Sequence, residues 1–351
     1  MSLRDRLVAE IAQGGPISVA RYMTACLHDP EFGYYATRPA LGEDGDFVTA
    51  PLVSQMFGEL VGVWAAAAWE LMGRPSPVRL VEMGPGDGTL MSDVLRAARL
   101  APGFLDASDI WLVEVSGPLK ALQANRLGDG VRWAGSLAEV PEGAPLLLFA
   151  NELLDCLPAR QFVRTATGWA EQVVGLDDEG ELTFGLASTP AGLLLPDAPV
   201  GAVYEQSAAQ AALGSELGAR VVRDGGAALL IDYGRARPGF GDTLQALRRH
   251  RKVDPLASPG EADLTIHADF PAVLAAARAE GAETAILAQA DFLARLGVGQ
   301  RAEALVRARP DKAPMIGRQL HRLVAADQMG ALFKAASIHA PGWSPPAFEE
   351  D

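Results

Sequence analysis

Apolar residues recur at helical spacing from Leu3 to Ala12, and Gly14, Gly15 and Pro16 stop the run. Ser18 to Leu27 predicts a second helix. A stretch rich in Gly, Pro and Asp follows from His28 to Pro51, and a long apolar helix is predicted over Val53 to Met72, ended by Gly73 and Pro75. That helix is expected to pack the N-terminal segment onto a main sheet. From Val78 the pattern changes to short apolar runs alternating with helices, the rhythm of a parallel sheet with crossover helices. Strands are predicted at Val78 to Met83, Ile110 to Val115, Val131 to Ala134 and Leu146 to Ala150, with helices at Thr89 to Arg99 and Pro118 to Arg126. The last of these strands is flat and apolar, as a central parallel strand should be.

The rhythm then breaks. Gln161 to Arg164, Trp169 to Val174 and Leu182 to Leu186 predict a β-meander, with Asp177 to Gly180 as one turn. A helix over Tyr204 to Leu217 leads to a fifth parallel strand at Ala227 to Tyr233. Phe270 to Glu280 predicts a helix and Thr284 to Leu287 a strand. Arg301 to Arg307 and Met315 to Ala325 predict helices, and Leu332 to Ile338 a strand that closes the sheet. The expected architecture is α/β: a Rossmann-like sheet over residues 77–340, an N-terminal helical cap and lid segment over 1–76, and a β-rich insertion over 160–200.

Composition narrows the function. The 351 residues are 49% hydrophobic, enough for one large core or one domain with a cap, and 21% charged, too apolar overall for wholesale disorder. A net charge of −14 argues against a nucleic-acid partner, which calls for a basic footprint, and suits a cationic substrate or simply solubility. Cys26 and Cys156 stand in unrelated contexts and read as reduced thiols. The five histidines, His28, His250, His267, His321 and His339, are scattered without metal-ligand spacing, so no metal is expected. No apolar run is long enough to span a membrane, and Met1 to Gly15 resembles neither a signal nor a transit peptide, so a cytoplasmic location is expected.

The strongest local signal is Val81-Glu82-Met83-Gly84-Pro85-Gly86-Asp87-Gly88-Thr89-Leu90, at a strand end that opens a helix. Gly84, Gly86 and Gly88 let the backbone turn sharply and approach a ligand, and the free amides of the helix start suit an anionic group. Glu114, 26 residues after Gly88, ends the next strand, where an acid accepts hydrogen bonds from a ribose diol. That pairing permits NAD or S-adenosylmethionine (SAM). Glu82 ahead of the glycines, and the absence of the longer G-x-G-x-x-G spacing, favour SAM, with its amino-acid end over Gly84 to Gly88 and its ribose at Glu114. Ser136 follows the third strand, as an adenine contact or an ordinary turn.

The second signal is Ala150-Asn151-Glu152-Leu153-Leu154-Asp155-Cys156-Leu157-Pro158, directly after the fourth strand. Ligands of open α/β sheets sit outside the carboxyl ends of the strands, so Asn151, Glu152 and Asp155 leave the sheet where the methyl group belongs. The alternative is a helix N-cap at Asn151 with acids in its first turn.

Together these segments resemble the MidA-type SAM-dependent methyltransferases, which include a mitochondrial complex I assembly factor that methylates arginine. The resemblance covers nearly the whole chain. It is carried by Gly33-Tyr34-Tyr35, Gly45 to Pro51, Ser54 to Glu59, Val81 to Leu90, Leu112 to Ser116, Ala150-Asn151-Glu152 with Asp155 and Pro158, Ile231 to Gly234, and Ala262 to Thr265 with His267, Asp269 and Phe270. The chain departs from the pattern at Leu52, at Leu153 and Leu154, and at Asp87. The resemblance implies methyl transfer from SAM to an arginine of a partner protein, such as a respiratory complex I subunit. In that reading Glu152 and Asp155 are catalytic and grip the guanidinium with Asn151 beside them, on one face of a helix start. Asp46 and Thr49 lie near the cofactor. The alternatives are a transferase acting on a small amine or polyamine, and an assembly chaperone that binds SAM without turnover.

Overall fold

The computed structural model describes residues 2–37, 49–249 and 251–349. In chain order its strands are β1 (Ile17–Ser18), β2 (Val78–Met83), β3 (Ser108–Val113), β4 (Arg132–Ala134) and β5 (Leu146–Asn151), then β6 (Arg160–Thr165), β7 (Gly168–Leu176), β8 (Leu182–Ser188) and β9 (Val203–Gln206). They continue with β10 (Gly226–Arg235), β11 (Gln245–Arg248), β12 (Arg251–Val253), β13 (Asp263–Thr265), β14 (Ala268–Asp269), β15 (Glu283–Ala288) and β16 (Phe333–His339).

The main sheet runs β15-β16-β10-β5-β2-β3-β4, with β14 added to the end of β10. From β10 to β4 every pairing is parallel. β5 and β10 sit in its middle, and Leu146 to Ala150 and Gly226 to Gly234 are buried without a break. Such strands need apolar side chains on both faces, which is why they read as continuous runs. On one face the helix Gln55–Leu71 packs against the helix Thr89–Ala98. A Cβ at Gly58 would lie 2.5 Å from Asp93 Cβ, so glycine there sets the close approach. On the other face lie the helices Ala208–Asp224 and Phe270–Ala279. The expected Rossmann-like α/β architecture is the observed one.

A second sheet, β1-β7-β6-β9 with β8 on β7, carries the anticipated meander. The helices Leu3–Gly14 and Val19–His28 pack here, in a core that includes Leu7, Tyr22, Val174 and Leu264. A third sheet, β12-β11-β13, was not anticipated, because its strands are short and lack clear alternation.

Four expectations need correction. The helix over Val53 to Met72 is two pieces, Ala50–Val53 and Gln55–Leu71, divided at extended Ser54 (φ −162°), whose hydroxyl accepts the Met56 amide at 3.2 Å. Tyr204 lies in β9, paired antiparallel with β6, and the helix starts at Ala208, capped by Ser207. The strand near Leu332 to Ile338 does not close the sheet: β16 lies inside it, antiparallel to both β10 and β15. No helix follows β5. Residues 152–159 form a turn, so Asn151 is not a helix cap and Glu152 and Asp155 do not share a helix face. No helix among the described residues is long and apolar enough to cross a membrane.

Candidate active site

A cavity of about 400 Å³ opens at the carboxyl ends of β2, β3 and β5. Its cofactor side is built on the glycine loop. Gly84, Gly86 and Gly88 have φ of 65°, 54° and 80°, the left-handed region that side chains resist. The loop is anchored by Gly84 N donating to Val113 O at 3.1 Å and Gly88 N to Pro85 O at 2.8 Å. Asp87 accepts the Thr89 amide at 2.9 Å and pairs with Arg126 at 2.8 Å, so it serves the start of the helix Thr89–Ala98.

Glu82 is 2% exposed, and its Oε2 has no hydrogen-bond partner among the described residues. Burial above all, with the Asp87 charge adding to it, pushes its carboxyl well above the usual range. An unpartnered buried acceptor is costly, so this atom calls for a donor, preferably a cation.

Glu114 Oε1 accepts the amides of Val115 at 2.8 Å and Ser116 at 2.7 Å. Burial raises its pKa, against those bonds and that of Gln123. Gln123 escaped the sequence reading. Fully buried, it donates to Gly86 O at 2.7 Å and to Glu114 Oε2 at 3.3 Å, and accepts from Trp133 Nε1 at 2.8 Å. It thus ties the glycine loop to the acid at the next strand end. A polar residue in a helix that reads as amphipathic carries no signal of such a role.

The other side of the cavity is the turn after β5. Glu152 has a left-handed backbone (φ 51°), and its amide donates to Ile231 O at 2.8 Å. Its Oε1 accepts from Ala50 N at 3.2 Å and Asn151 Nδ2 at 3.1 Å. Asn151 Oδ1 is buried without a partner among the described residues. Asp155 is 5% exposed. Asp232, inside β10, shapes this turn: its Oδ2 accepts the amides of Leu154 at 2.8 Å and Asp155 at 3.2 Å, and its Oδ1 that of Tyr233 at 2.8 Å. Burial, reinforced by the Asp155 charge, raises the Glu152 carboxyl to about 7. Burial raises Asp155 to about 6, and lifts Asp232 well above the carboxylate range with help from Asp155 and Glu152.

The cavity brings together Glu82, Gly84, Gly86, Glu114, Thr49, Asn151, Glu152 and Asp155 of the expected residues. Gly88 does not line it, serving instead as N-cap of the helix that follows. Ser136 does not line it either: its hydroxyl faces Glu139 at 3.5 Å, and Gly135 is the lining residue of that loop. Asp46 lies outside the described residues. Residues 38–48 of the expected lid segment lie outside them too, while His28, Tyr34, Tyr35, Thr49 and Pro51 line the cavity.

Residues 60–288 match the family described as Putative S-adenosyl-L-methionine-dependent methyltransferase. The chain is 34% identical to the protein arginine methyltransferase NDUFAF7, mitochondrial, of Danio rerio, over 96% of this chain and 86% of that protein. It is 35% identical to the Homo sapiens protein of the same name, over 90% of this chain and 77% of that one. Among solved structures it is similar to a Burkholderia thailandensis protein crystallised with S-adenosyl-homocysteine bound, with a TM-score of 0.86 and 31% identity over 99% of this chain and 94% of that one.

Proposed function

The chain belongs to the S-adenosyl-L-methionine-dependent methyltransferase family, and from that premise we propose that it methylates an arginine side chain of a partner protein. The observation that carries this reading is the charge of the cavity wall. Glu82, Asp87, Glu114, Glu152, Asp155 and Asp263 line it, and no Lys or Arg does among the described residues. A wall lined by carboxylates and by no basic side chain suits a ligand that brings positive charge.

The residues present fit SAM. The orphaned Oε2 of Glu82 suits its ammonium, the left-handed glycines leave room for close backbone approach, and Glu114 faces the cavity where a ribose diol would be held. When bound, SAM supplies a methyl group activated by a sulfonium. Glu152 and Asp155 then hold the guanidinium, whose planar N–H fork suits carboxylates. Transfer makes an N–C bond as the S–C bond breaks, and the nitrogen gives up a proton. Glu152, raised to about 7 by burial, is suited to take it. The walls hold the two reactants in line and exclude water. The family resemblance points more finely to a respiratory complex I subunit as acceptor.

The test is labelling with methyl-tritiated SAM in a lysate of cells lacking this protein, followed by mass spectrometry. Methylarginine in a discrete protein band is expected. Label confined to small molecules would replace this reading with a polyamine or small-amine acceptor, and absence of label would favour a SAM-binding chaperone.

A further inference from the structure

The helices Val298–Ala308 and Ala313–Val324 pack on one another and carry a charge opposite to that of the molecule as a whole. Between 307 and 322 stand Arg307, Arg309, Lys312, Arg318 and Arg322 against one acid, Asp311, in a chain of net charge −14. Arg309 pairs with Asp311 at 3.0 Å and Arg307 with Glu303 at 3.6 Å, whereas no ion pair or side-chain hydrogen bond holds Arg318 or Arg322 among the described residues. Both are exposed, and their spacing puts them on one face of the second helix with the exposed Met315. Ile316 and Leu323 are its buried residues. Like charges four residues apart destabilise a helix, and no partner within the described fold offsets their repulsion. Arg322, in the last turn, complements the helix dipole, but Arg318, one turn earlier, does not. The helix lies beside the cavity. It packs on the helix Ala50–Val53, of which Pro51 and Leu52 line the cavity. The charge of Arg322 is felt at Glu152, where it opposes the rise that burial causes.

We propose that the exposed face of the helix Ala313–Val324, through Arg318 and Arg322, docks an acidic segment of the partner protein that flanks the methylated arginine. This rests on the acceptor reading above. An arginine whose guanidinium sits in the cavity leaves its backbone at the rim, so the residues flanking it in sequence meet the neighbouring helix. An acidic segment is repelled by most of a surface of net charge −14 and attracted at this face, which fixes its orientation on approach. A basic flanking segment meets like charge there, so the same face rejects arginines set in basic runs. A nucleic acid or an anionic lipid surface presents negative charge over a wide area, which the rest of this surface repels, and the apolar residues Ile316 and Leu323 are buried in the protein and not available to a bilayer.

A merely solvated face predicts different data. The probes are two peptides with capped ends and one arginine each, one with Asp and Glu on both sides of it and one with Asn and Gln in their place. They are titrated by calorimetry into the full chain saturated with S-adenosyl-homocysteine. At about 50 mM salt the wild-type protein should bind the acidic peptide more tightly by a factor of about five, the scale of two exposed ion pairs, and the preference should shrink at about 300 mM salt. The double variant Arg318→Gln, Arg322→Gln should lose the preference, with S-adenosyl-homocysteine affinity unchanged. Arg318→Gln alone, at an exposed site away from the last turn, should remove part of it and reports on the face even where the double variant fails to fold. Equal affinity for the two peptides in the wild type overturns the docking face and leaves the proposed function standing. A preference that survives in the double variant overturns its assignment to Arg318 and Arg322. Cosedimentation with phosphatidylglycerol vesicles that the double variant loses, alongside equal peptide affinities, overturns the proposal in favour of a lipid surface. Absence of binding by either peptide overturns the arginine reading itself, and the docking face with it.

Discussion

The Ala50 amide donates to Glu152 Oε1 at 3.2 Å, across 102 positions of sequence. The start of the helix Ala50–Val53 is thereby fastened to the acid that turns out of β5. One oxygen of Glu152 thus has a structural partner, and the residue lines the cavity.

Glu152→Gln retains an oxygen for the Ala50 amide but cannot take a proton. Methylation by this variant and by Asp155→Asn should drop by a factor on the order of 10² or more, with S-adenosyl-homocysteine affinity nearly intact. Calorimetry beside a methylation assay decides it. Full turnover with a lowered melting temperature would make both acids structural.

Stability should fall as pH rises from about 4.5 towards 7, the reverse of the usual carboxylate behaviour. Burial raises Glu152 to about 7 and Asp155 to about 6. Between the unfolded and folded pKa values the folded state binds more protons than the unfolded chain, so the slope of unfolding free energy with pH is negative there. Melting curves at about pH 5 and about pH 7.5 should differ more in the wild type than in a Glu152→Gln, Asp155→Asn double variant. Turnover should rise over the same range as Glu152 ionises. Identical melting slopes in the two proteins would show that these acids are not the groups responsible.

Glu82→Gln should raise the melting temperature of the ligand-free protein and weaken cofactor binding. A buried carboxylate with an orphaned oxygen costs stability that a neutral amide costs less, and only the carboxylate matches an ammonium. A thermal-shift series with and without S-adenosyl-homocysteine should show the ligand-induced rise shrinking. A full rise in the variant would disconnect Glu82 from the cofactor.

Glu114→Ala should weaken SAM binding by about 1–3 kcal/mol, the scale of charge-assisted hydrogen bonds. Because Glu114 also holds the Val115 and Ser116 amides, the loop after β3 should exchange its amide hydrogens faster. Unchanged calorimetric affinity would remove the ribose assignment.

The parallel strands and the glycine loop were readable because each is a local pattern: a continuous apolar run, then residues free to turn left-handed. The turn after β5 was not. Asn151, Glu152 and Asp155 imitate the opening of a helix, and what prevents one is Asp232, 78 positions beyond Leu154, drawing the Leu154 and Asp155 amides to itself. Asp232 in turn hides inside the apolar run of β10. β9 reads as a helix start because four residues are too few to show alternation, and its pairing with β6 makes it a strand. The hydrogen bond from Tyr35 to Asp263 at the cavity wall likewise spans 228 positions.

The place of β16 governs the order in which the main sheet can be assembled. β15 hydrogen-bonds within the sheet to β16 alone, and β16 stands between it and β10. A nascent chain that has emerged only as far as β15 therefore holds a strand with nowhere to dock. It also leaves β10, whose residues are almost all buried in the finished protein, open along one edge. Such an edge is a template for pairing with another chain. The edge of β10 from Ala227 to Tyr233 thus has no partner strand until β16 is made.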